Sequence, residues 1–304
     1  MPRISDIGLQ HILLQSFQRA QGAAQERQIQ LATGKVSSSY GGLERAAELL
    51  AAEGVLARAS AYDGAAKTAL ARLQTQEAGM RTVADAVALI RERMVQALAT
   101  GSSELLVPEV ETAAGRVIAG LNSRLGGVYV FGGADGTSPP LAARSLADFG
   151  AASDTDDLFL DAARVRLPVE EGVSVDGGAT ALEIGGAIAA ELKDLANAEV
   201  ALGPFSGELT AAQRDFLIDK VARLDAIAAD VYRELGLNGV AQGQAEDARQ
   251  RNIQRRDLAE IVAADIEDAD LAEVVARLNQ DRLAVEAAAR SLSVATELSL
   301  LNYL

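Results

Sequence analysis

The stretch LATGKVSSSYGGLERAAELL, at 31–50, contains the glycine–lysine pair of phosphate-binding loops, at Gly34 and Lys35. Such a loop also needs a glycine five residues before the pair and a serine or threonine directly after it, because backbone N–H groups and a hydroxyl must surround the phosphate and its magnesium ion. Ile29 and Val36 occupy those two positions. We therefore predict a helix end here, with Gly34 as the C-terminal cap, and no nucleotide site.

Two further patterns could suggest catalysis, and neither is complete. Gly115 and Gly120 have the spacing of a phosphate loop, but Leu121 replaces its lysine. The segment GVSVD, at 172–176, lacks the last glycine of a hydrolase nucleophile turn, and a serine triad would have to use His11, the only histidine. His11 lies in an amphipathic segment near the chain end, where a preorganised site is hard to build. We predict a surface histidine and no catalytic residue.

An acidic cluster, ADIEDAD at 264–270, could suggest a site for a hard cation. It lacks the glycine and the alternating spacing of a calcium loop. Acidic residues also favour the first turn of a helix, where they face the positive end of the helix dipole. Asp270, with Glu273 three residues later, fits a capping box. We predict a helix start at Asp270 and no metal site.

The composition limits the partners and the chemistry. The chain has 304 residues, no cysteine, and 43 acidic against 28 basic side chains, for a formal charge of −15. Nucleic acid is bound by clustered Lys and Arg, so a nucleic-acid partner is not expected for this acidic chain. The absence of cysteine excludes disulfides, thiolate nucleophiles and cysteine-bound metals. No apolar run reaches the roughly 18 residues of a membrane span, and residues 1–20 lack the apolar core of a secretory signal. We expect no enzyme, no cofactor and no membrane partner.

Proline and glycine divide the chain into two arms and a central insert. Residues 3–107 and 205–304 contain no proline, and 16 of the 27 glycines lie between positions 101 and 207. Because proline interrupts helices and glycine favours turns, the arms are predicted to be helical and the middle turn-rich. The alternation of apolar and polar residues at 158–178 predicts short strands and hairpins, and 187–200 has the pattern of one short helix. The insert is predicted to be a small mixed domain.

Both arms carry apolar residues at alternating intervals of three and four, which place one apolar stripe along each helix. In the first arm only Gln76 breaks this series. A chain rich in Ala and Leu, with 4% aromatic residues, suits the thin core between closely packed long helices. The residues predicted to form this bundle core are Leu73, Met80, Val83, Val87, Ile90, Met94, Leu217, Val221, Leu224 and Val231.

The two chain ends carry amphipathic stripes of their own. The first is interrupted at Arg27 and the second at Asp281. Such stripes could pair with each other, or they could pair with neighbouring subunits, which would make the chain an assembly protein. The predicted fold is mainly α, a long antiparallel helical bundle or coiled coil formed by both chain ends, with a small mixed α/β insert that contains a β-hairpin. The predicted interface residues are Leu13, Phe17, Ala20, Ala24 and Leu31 in the first stripe, and Leu271, Val274, Leu278, Val285, Leu292 and Ala295 in the second.

Several segments resemble the bacterial flagellin superfamily. QRAQGAAQERQIQLATGKVSSS, at 18–39, is similar to the run in which a flagellin helix ends at Leu-x-Thr-Gly and a basic residue. IEDADLAEVVARLNQDRLAVEAAARSL, at 266–292, is similar to the C-terminal motif that opens with Asp-Ala-Asp. Within the superfamily, GGVYVFGGADGTSPPL at 126–141 and LSLLNYL at 298–304 resemble the members that join the hook to the filament. Where the family has a long helix, GLNGVAQGQ at 236–244 has three glycines, so a kink or a break is expected there.

The resemblance implies a division of the chain and a set of partners. The terminal helices would pair as an inner coiled coil, the arms would form the next shell, and subunits would form a homo-oligomeric ring. A sister hook-associated junction protein, flagellin and a flagellar export chaperone would be partners, and the flagellar type III route would place the protein outside the cell. The implied segments are assembly helices at 1–33 and 266–304, a linker at 34–42, bundle arms at 43–132 and 206–265, and an outward-facing insert at 133–205.

Two alternatives stay open. A short filament flagellin would carry the same terminal helices but build the filament itself. A soluble intracellular coiled-coil adaptor, from a different class of protein, would have ends that are dispensable or already folded in the monomer.

Overall fold

The structure, a computed structural model, describes residues 3–301 and the side chains of residues 8–294. Helices dominate this part of the chain, and its strands form two short antiparallel hairpins, so the predicted fold class is confirmed. Short 3-10 helices lie at Tyr40–Gly42 and Asp156–Leu158. The main elements are α1 (Arg3–Thr33), α2 (Ala46–Thr100), α3 (Leu106–Leu121), β1 (Arg124–Leu125), β2 (Val128–Tyr129), α4 (Leu146–Ala151), β3 (Arg166–Glu170), β4 (Val173–Asp176), α5 (Ala181–Leu202), α6 (Ala211–Glu267) and α7 (Leu271–Leu301).

The chain forms two compact units. The first unit consists of Met1–Ala57 and Arg255–Leu304, and so contains α1, α7, the start of α2 and the end of α6. The second unit, Arg58–Gln254, contains the rest of α2 and α6 with α3, α4, α5 and both hairpins. In the first unit a small core joins α2 to α6 through Leu49, Ala52, Ala263 and Ile266.

In the second unit, residues of the arms and of the insert pack into one apolar core. Phe149 and Ile188, from the segment predicted as the insert, are fully buried in the same cluster as Met80 and Leu217 from the arms. Helix α3 and hairpin β1–β2 also lie in the segment 43–132, which was predicted as one arm. The insert is therefore continuous in packing with the helices that flank it.

The insert contains one β-hairpin and helix α5, and local sequence signals mark where each of them forms. Strand β3 pairs with β4 across a register shift between Pro168 and Glu170, which confirms the hairpin predicted in this segment. Helix α5 starts at Ala181, earlier than the short helix predicted at 187–200. Its start is fixed by a capping box, in which Thr180 accepts from the backbone N–H of Glu183 and the Glu183 carboxylate accepts from the backbone N–H of Thr180 at 2.7 Å.

Two features of the long helices bear on their packing. Helix α6 runs through the three glycines at 236–244 as one continuous helix, so the break that they suggested does not occur. Helices α2 and α3 cross where Gly79 meets Gly120. A Cβ atom built on Gly79 would lie 2.7 Å from the carbonyl oxygen of Gly120, and one built on Gly120 would lie 2.8 Å from that of Gly79. The missing side chains let the two backbones approach closely.

Candidate assembly surface

Helices α1 and α7 lie against each other in the first unit. The chain leaves α1 at Thr33 and enters α7 at Leu271, and residues 34–36 pair with 267–269, so the two helices run antiparallel from this joint. Of the predicted interface residues, Ala24, Val274 and Leu278 are buried. A second group is partly buried along the same line, and consists of Leu13, Phe17, Ala20, Val285 and Leu292.

Two predicted interface residues, Leu31 and Leu271, fall outside this seam. Leu31 is 40% exposed and Leu271 is 48% exposed, so neither contributes to a buried core. Leu271 lies at the start of α7, beyond the point where α1 has ended, and in the last turn of α1 the buried position belongs to Gln30 instead of Leu31. Ala295 lies outside the residues whose side chains the structure describes.

Gln30, rather than Leu31, is the buried residue in the last turn of α1. Its side chain is held by polar contacts: its amide donates to the backbone carbonyl of Val36 at 2.7 Å, and its oxygen accepts from Arg27 at 2.7 Å. The apolar pattern alone pointed to Leu31, one residue further along. One of its two polar partners, the carbonyl of Val36, comes from the turn after the helix, which a helical pattern does not represent.

Gly34 occupies the cap position predicted for it. It has φ +71°, and its N–H donates to the carbonyl of Gln30 at 2.8 Å, as expected for a residue just past a helix end. The joint is then closed by backbone hydrogen bonds, from Val36 to the carbonyl of Glu267 at 2.7 Å and from Ala269 to the carbonyl of Gly34 at 2.8 Å. The two turns that follow α1 and α6 therefore hold each other in place.

Lys35, the other half of the apparent phosphate motif, is part of the same joint. Its ammonium group donates to the Glu267 carboxylate and lies 3.5 Å from Asp268. The hydrogen bond to Glu267 raises the pKa of Lys35 above its ordinary value. Lys35 therefore neutralises acidic residues of the predicted helix-start cluster, in place of any phosphate.

The start of α7 is capped by Asp270. Its carboxylate accepts from the backbone N–H of Ala272 at 2.9 Å and of Glu273 at 3.2 Å. The carboxylate of Glu273 pairs with Arg277 one turn further on. Asp270 thus satisfies two N–H groups that have no acceptor within the helix.

We predict that Asp270→Ala destabilises the start of α7 by about 1 kcal/mol, the usual contribution of an N-terminal cap. The two N–H groups that Asp270 accepts would lose their acceptor. Amide hydrogen exchange at Ala272 and Glu273 measures this directly and should speed up about fivefold, the ratio that corresponds to this energy. Glu286→Ala, on the exposed side of the same helix, is the matched control; equal exchange rates in the two variants would contradict the assignment.

The predicted bundle core lies in the second unit. All of the ten residues except Leu73 belong to the main apolar cluster of this unit or pack against it. The buried residues are Leu73, Met80, Val83, Val87, Ile90, Met94, Leu217, Leu224 and Val231, and Val221 is partly buried. The core therefore gathers the stripes of α2 and α6 together with α3 and α5. The same core includes Val130 and Phe131 from the segment 126–141, which follows α3.

Gln76, which breaks the apolar series, is completely buried and connects α2 to the segment 126–141 and to α6. Its amide donates to the carbonyl of Val130 at 2.7 Å and of Ala179 at 3.3 Å, and its oxygen accepts from Asn238 at 3.4 Å. One turn earlier, Arg72 donates to the carbonyl of Val130 at 2.8 Å, and burial lowers the pKa of this arginine from its ordinary value.

Apolar side chains outside the α1–α7 seam are also exposed. On α1 and α7 they include Ile12 at 63%, Leu283 at 67% and Val294 at 53%, and at the end of α6 Leu258 and Ile261 are about two-thirds exposed. A pair of helices covers only one stripe of each, so these residues lack an apolar contact surface. Leu283 and Val294 are eleven residues apart and therefore lie on one face of α7, away from the seam.

The described residues were expected to carry no metal site and no membrane span. Within residues 3–301, no group of three or more His, Asp or Glu side chains is arranged to hold a metal ion. His11 is exposed on α1 and its ring nitrogen lies 3.2 Å from the Gln15 amide. Among the described helices, none is both long and apolar enough to cross a membrane. The acidic cluster instead caps α7 and pairs with Lys35.

Comparison with known proteins places the fold. No protein-family model matches the chain, and no curated protein matches it in sequence. In structure the chain is similar to a protein of Vibrio parahaemolyticus that is provisionally assigned as flagellar hook-associated, with a TM-score of 0.60 and 16% sequence identity. The likeness covers 72% of this chain and 96% of that protein. The two proteins therefore share a fold.

Proposed function

We propose that the chain is a structural subunit of the bacterial flagellum that forms the junction ring between hook and filament, as hook-associated protein 3 does. The observation that carries the proposal is the antiparallel α1–α7 pair, whose outer faces keep large apolar side chains in water. The shared fold with a protein assigned as flagellar hook-associated supports the same class.

The exposed apolar residues give the proposed assembly its driving force. Burying a side chain the size of leucine contributes about 2 kcal/mol, and Ile12, Leu283 and Val294 each keep more than half of their surface exposed. A ring of subunits would cover these residues with the terminal helices of neighbouring copies. Heptad spacing in the two terminal helices would serve this assembly, whereas the joint between them is closed within one chain by hydrogen bonds.

The segment 126–141 favours the junction over a filament subunit. Its sequence resembles the junction members, and its residues Val130 and Phe131 are buried against α2, where Arg72 and Gln76 hold the carbonyl of Val130. The motif is thus part of the second unit's core. As partners we propose further copies of this chain, a sister junction protein, flagellin and an export chaperone, with export by the flagellar type III route to the extracellular flagellum.

The direct test mixes the purified full chain with isolated hook tips that carry the sister junction protein, and images the product by electron microscopy. A short zone of added density at the tip is expected. Long filaments would instead identify a filament flagellin. Failure to associate with hook tips at all would overturn the flagellar assignment and favour the intracellular adaptor.

We predict that Leu283→Asp lowers incorporation at hook tips on the order of tenfold or more, because assembly would have to bury an unpaired carboxylate. Leu283 is 67% exposed, so the isolated subunit should keep its helical content and its melting temperature. Gln280→Asp, an exposed polar position one turn earlier on α7, is the matched control and should incorporate as the unmodified chain does. Equal incorporation of the two variants would show that this face of α7 is not an interface.

A further inference from the structure

The two polar residues that interrupt the terminal stripes face each other. Arg27 on α1 and Asp281 on α7 lie with Nε and Oδ2 4.0 Å apart, and their side chains are only 24% and 26% exposed. Each was the one charged residue within its otherwise apolar line. The two interruptions of the apolar pattern therefore form one ion pair inside the seam.

Hydrogen bonds also connect the Arg27 side chain to the joint. Its Nη1 donates to the oxygen of Gln30, and Gln30 in turn donates to the carbonyl of Val36, each at 2.7 Å. A chain of hydrogen bonds therefore runs from the closed joint to the guanidinium. Its Nε is buried and makes no hydrogen bond to any described residue, so the Asp281 carboxylate is the acid that faces it.

We propose that the Arg27–Asp281 pair fixes the register of α7 on α1 along the seam, in addition to the backbone hydrogen bonds that close the joint at one end of it. The other positions of the seam are Ala, Val, Leu and Phe at heptad spacing, and such residues pack against one another almost equally well after a slip of seven residues. A slip in either direction would place Arg27 opposite Val274 or Ala288, and would bury both charges without a partner. A single polar position at an apolar seam is a known means of fixing register.

The same pair selects between partners. In a pair of two α1 helices, or of two α7 helices, the seam positions would hold no opposite charge to place beside Arg27 or beside Asp281. Pairing of unlike helices is therefore favoured over pairing of like helices between copies. This second consequence rests on the proposed function, because it concerns assembly. The register of α7 on α1 within one chain does not depend on the proposed function.

Disulfide trapping tests the register, because the chain has no cysteine of its own. Ala20 and Ala288 each lie one heptad from the ion pair and oppose each other in the observed register, so Ala20→Cys with Ala288→Cys reports it. Leu13→Cys with Ala288→Cys reports a slip of one heptad. A disulfide forms only when the two Cα atoms are within about 7 Å, so each pair of cysteines reads one register alone.

In the otherwise unmodified chain, the first pair should cross-link as a monomer and the second should not. With Arg27→Leu and Asp281→Leu added, the ratio of slipped to in-register product should rise about fivefold, as expected for the loss of a half-buried ion pair. Leucine favours helices, so this variant keeps α1 and α7. The charge swap Arg27→Asp with Asp281→Arg should restore the original ratio, and Arg19→Leu with Arg282→Leu, at exposed positions, should not change it.

An unchanged ratio in the double leucine variant, or a charge swap that fails to restore it, would overturn the proposal. So would the absence of the in-register product in the unmodified background. The measurement uses dilute monomer and needs no hook tip, so its failure is distinguishable from failure of the flagellar assignment.

Discussion

Replacing Gln76 with leucine is expected to lower the free energy of unfolding of the second unit by about 3 kcal/mol, since a buried polar group left without a partner costs about 1–3 kcal/mol. The carbonyl of Ala179 and the side-chain N–H of Asn238 would each lose the contact that Gln76 now makes with them at 3.3 and 3.4 Å. The carbonyl of Val130 would keep its hydrogen bond from Arg72. The loss is therefore two orphaned groups in a dry core.

Gln74→Leu is the matched control, because Gln74 is exposed on the same helix two residues earlier. It should change stability by less than about 0.5 kcal/mol, as surface substitutions usually do. For a unit of this size, Gln76→Leu should lower the melting temperature by about 8 °C. Equal melting temperatures for the two variants would show that Gln76 is merely tolerated in the bundle and does not connect it to the insert.

A pattern of apolar residues locates the seams of this fold but not their polar contacts. Gln76, Arg27 and Asp281 were visible in the sequence as interruptions of heptad stripes. Each is satisfied by a group far away in the chain: Gln76 by Asn238, and Arg27 by Asp281. The partner of an interruption depends on which helices meet and in which register, which a single stripe does not contain.

The ends of helices show the same limit in another form. Gly34 and Asp270 could be placed from sequence because caps depend on local backbone geometry. Leu31 and Leu271 continue their stripes and yet are exposed, because Gln30 takes the buried position in the last turn of α1 and Leu271 lies beyond the end of that helix. Periodicity extends a stripe as far as the residues allow, whereas burial extends only as far as both helices do.

The core of the second unit was predictable in its helical part. The heptad residues of α2 and α6 are buried or partly buried as a set, while Phe131 and Phe149, from the segment between those two helices, were not predicted as core residues. They lie in turn-rich sequence without a helical or strand period. Their position is fixed by long-range contacts, including the hydrogen bonds from Arg72 and Gln76 to the segment around Val130.

The crossing of α2 and α3 gives the second large expected effect, and one of unusual sign. Alanine is the better helix former by about 1 kcal/mol, so Gly→Ala within a helix normally stabilises a protein. At Gly79 the added Cβ would lie 2.7 Å from the carbonyl oxygen of Gly120 and 2.7 Å from the ring of Phe131. Backbone cannot yield as a flexible side chain can, so the helices would have to separate.

We predict that Gly79→Ala destabilises the second unit by about 2 kcal/mol, the usual cost of overpacking a dense core. Gly64→Ala, on the same helix, is the control, because no atom lies within 4 Å of its added Cβ. That variant should be more stable than the unmodified chain by up to about 1 kcal/mol. Thermal or urea unfolding would separate the two variants by sign. Stabilisation in both would show that α3 does not press on α2 at this point.

The double variant Gly79→Ala with Gly120→Ala tests the physical cause. If each alanine acts by pushing α2 and α3 apart, the separation forced by the first makes room for the second. The double variant should then be destabilised by about 1 kcal/mol less than the sum of the two single changes, which is the size of coupling seen between residues in contact. Full additivity would mean that the two glycines act independently, through helix propensity or local strain, and not through the distance between the helices.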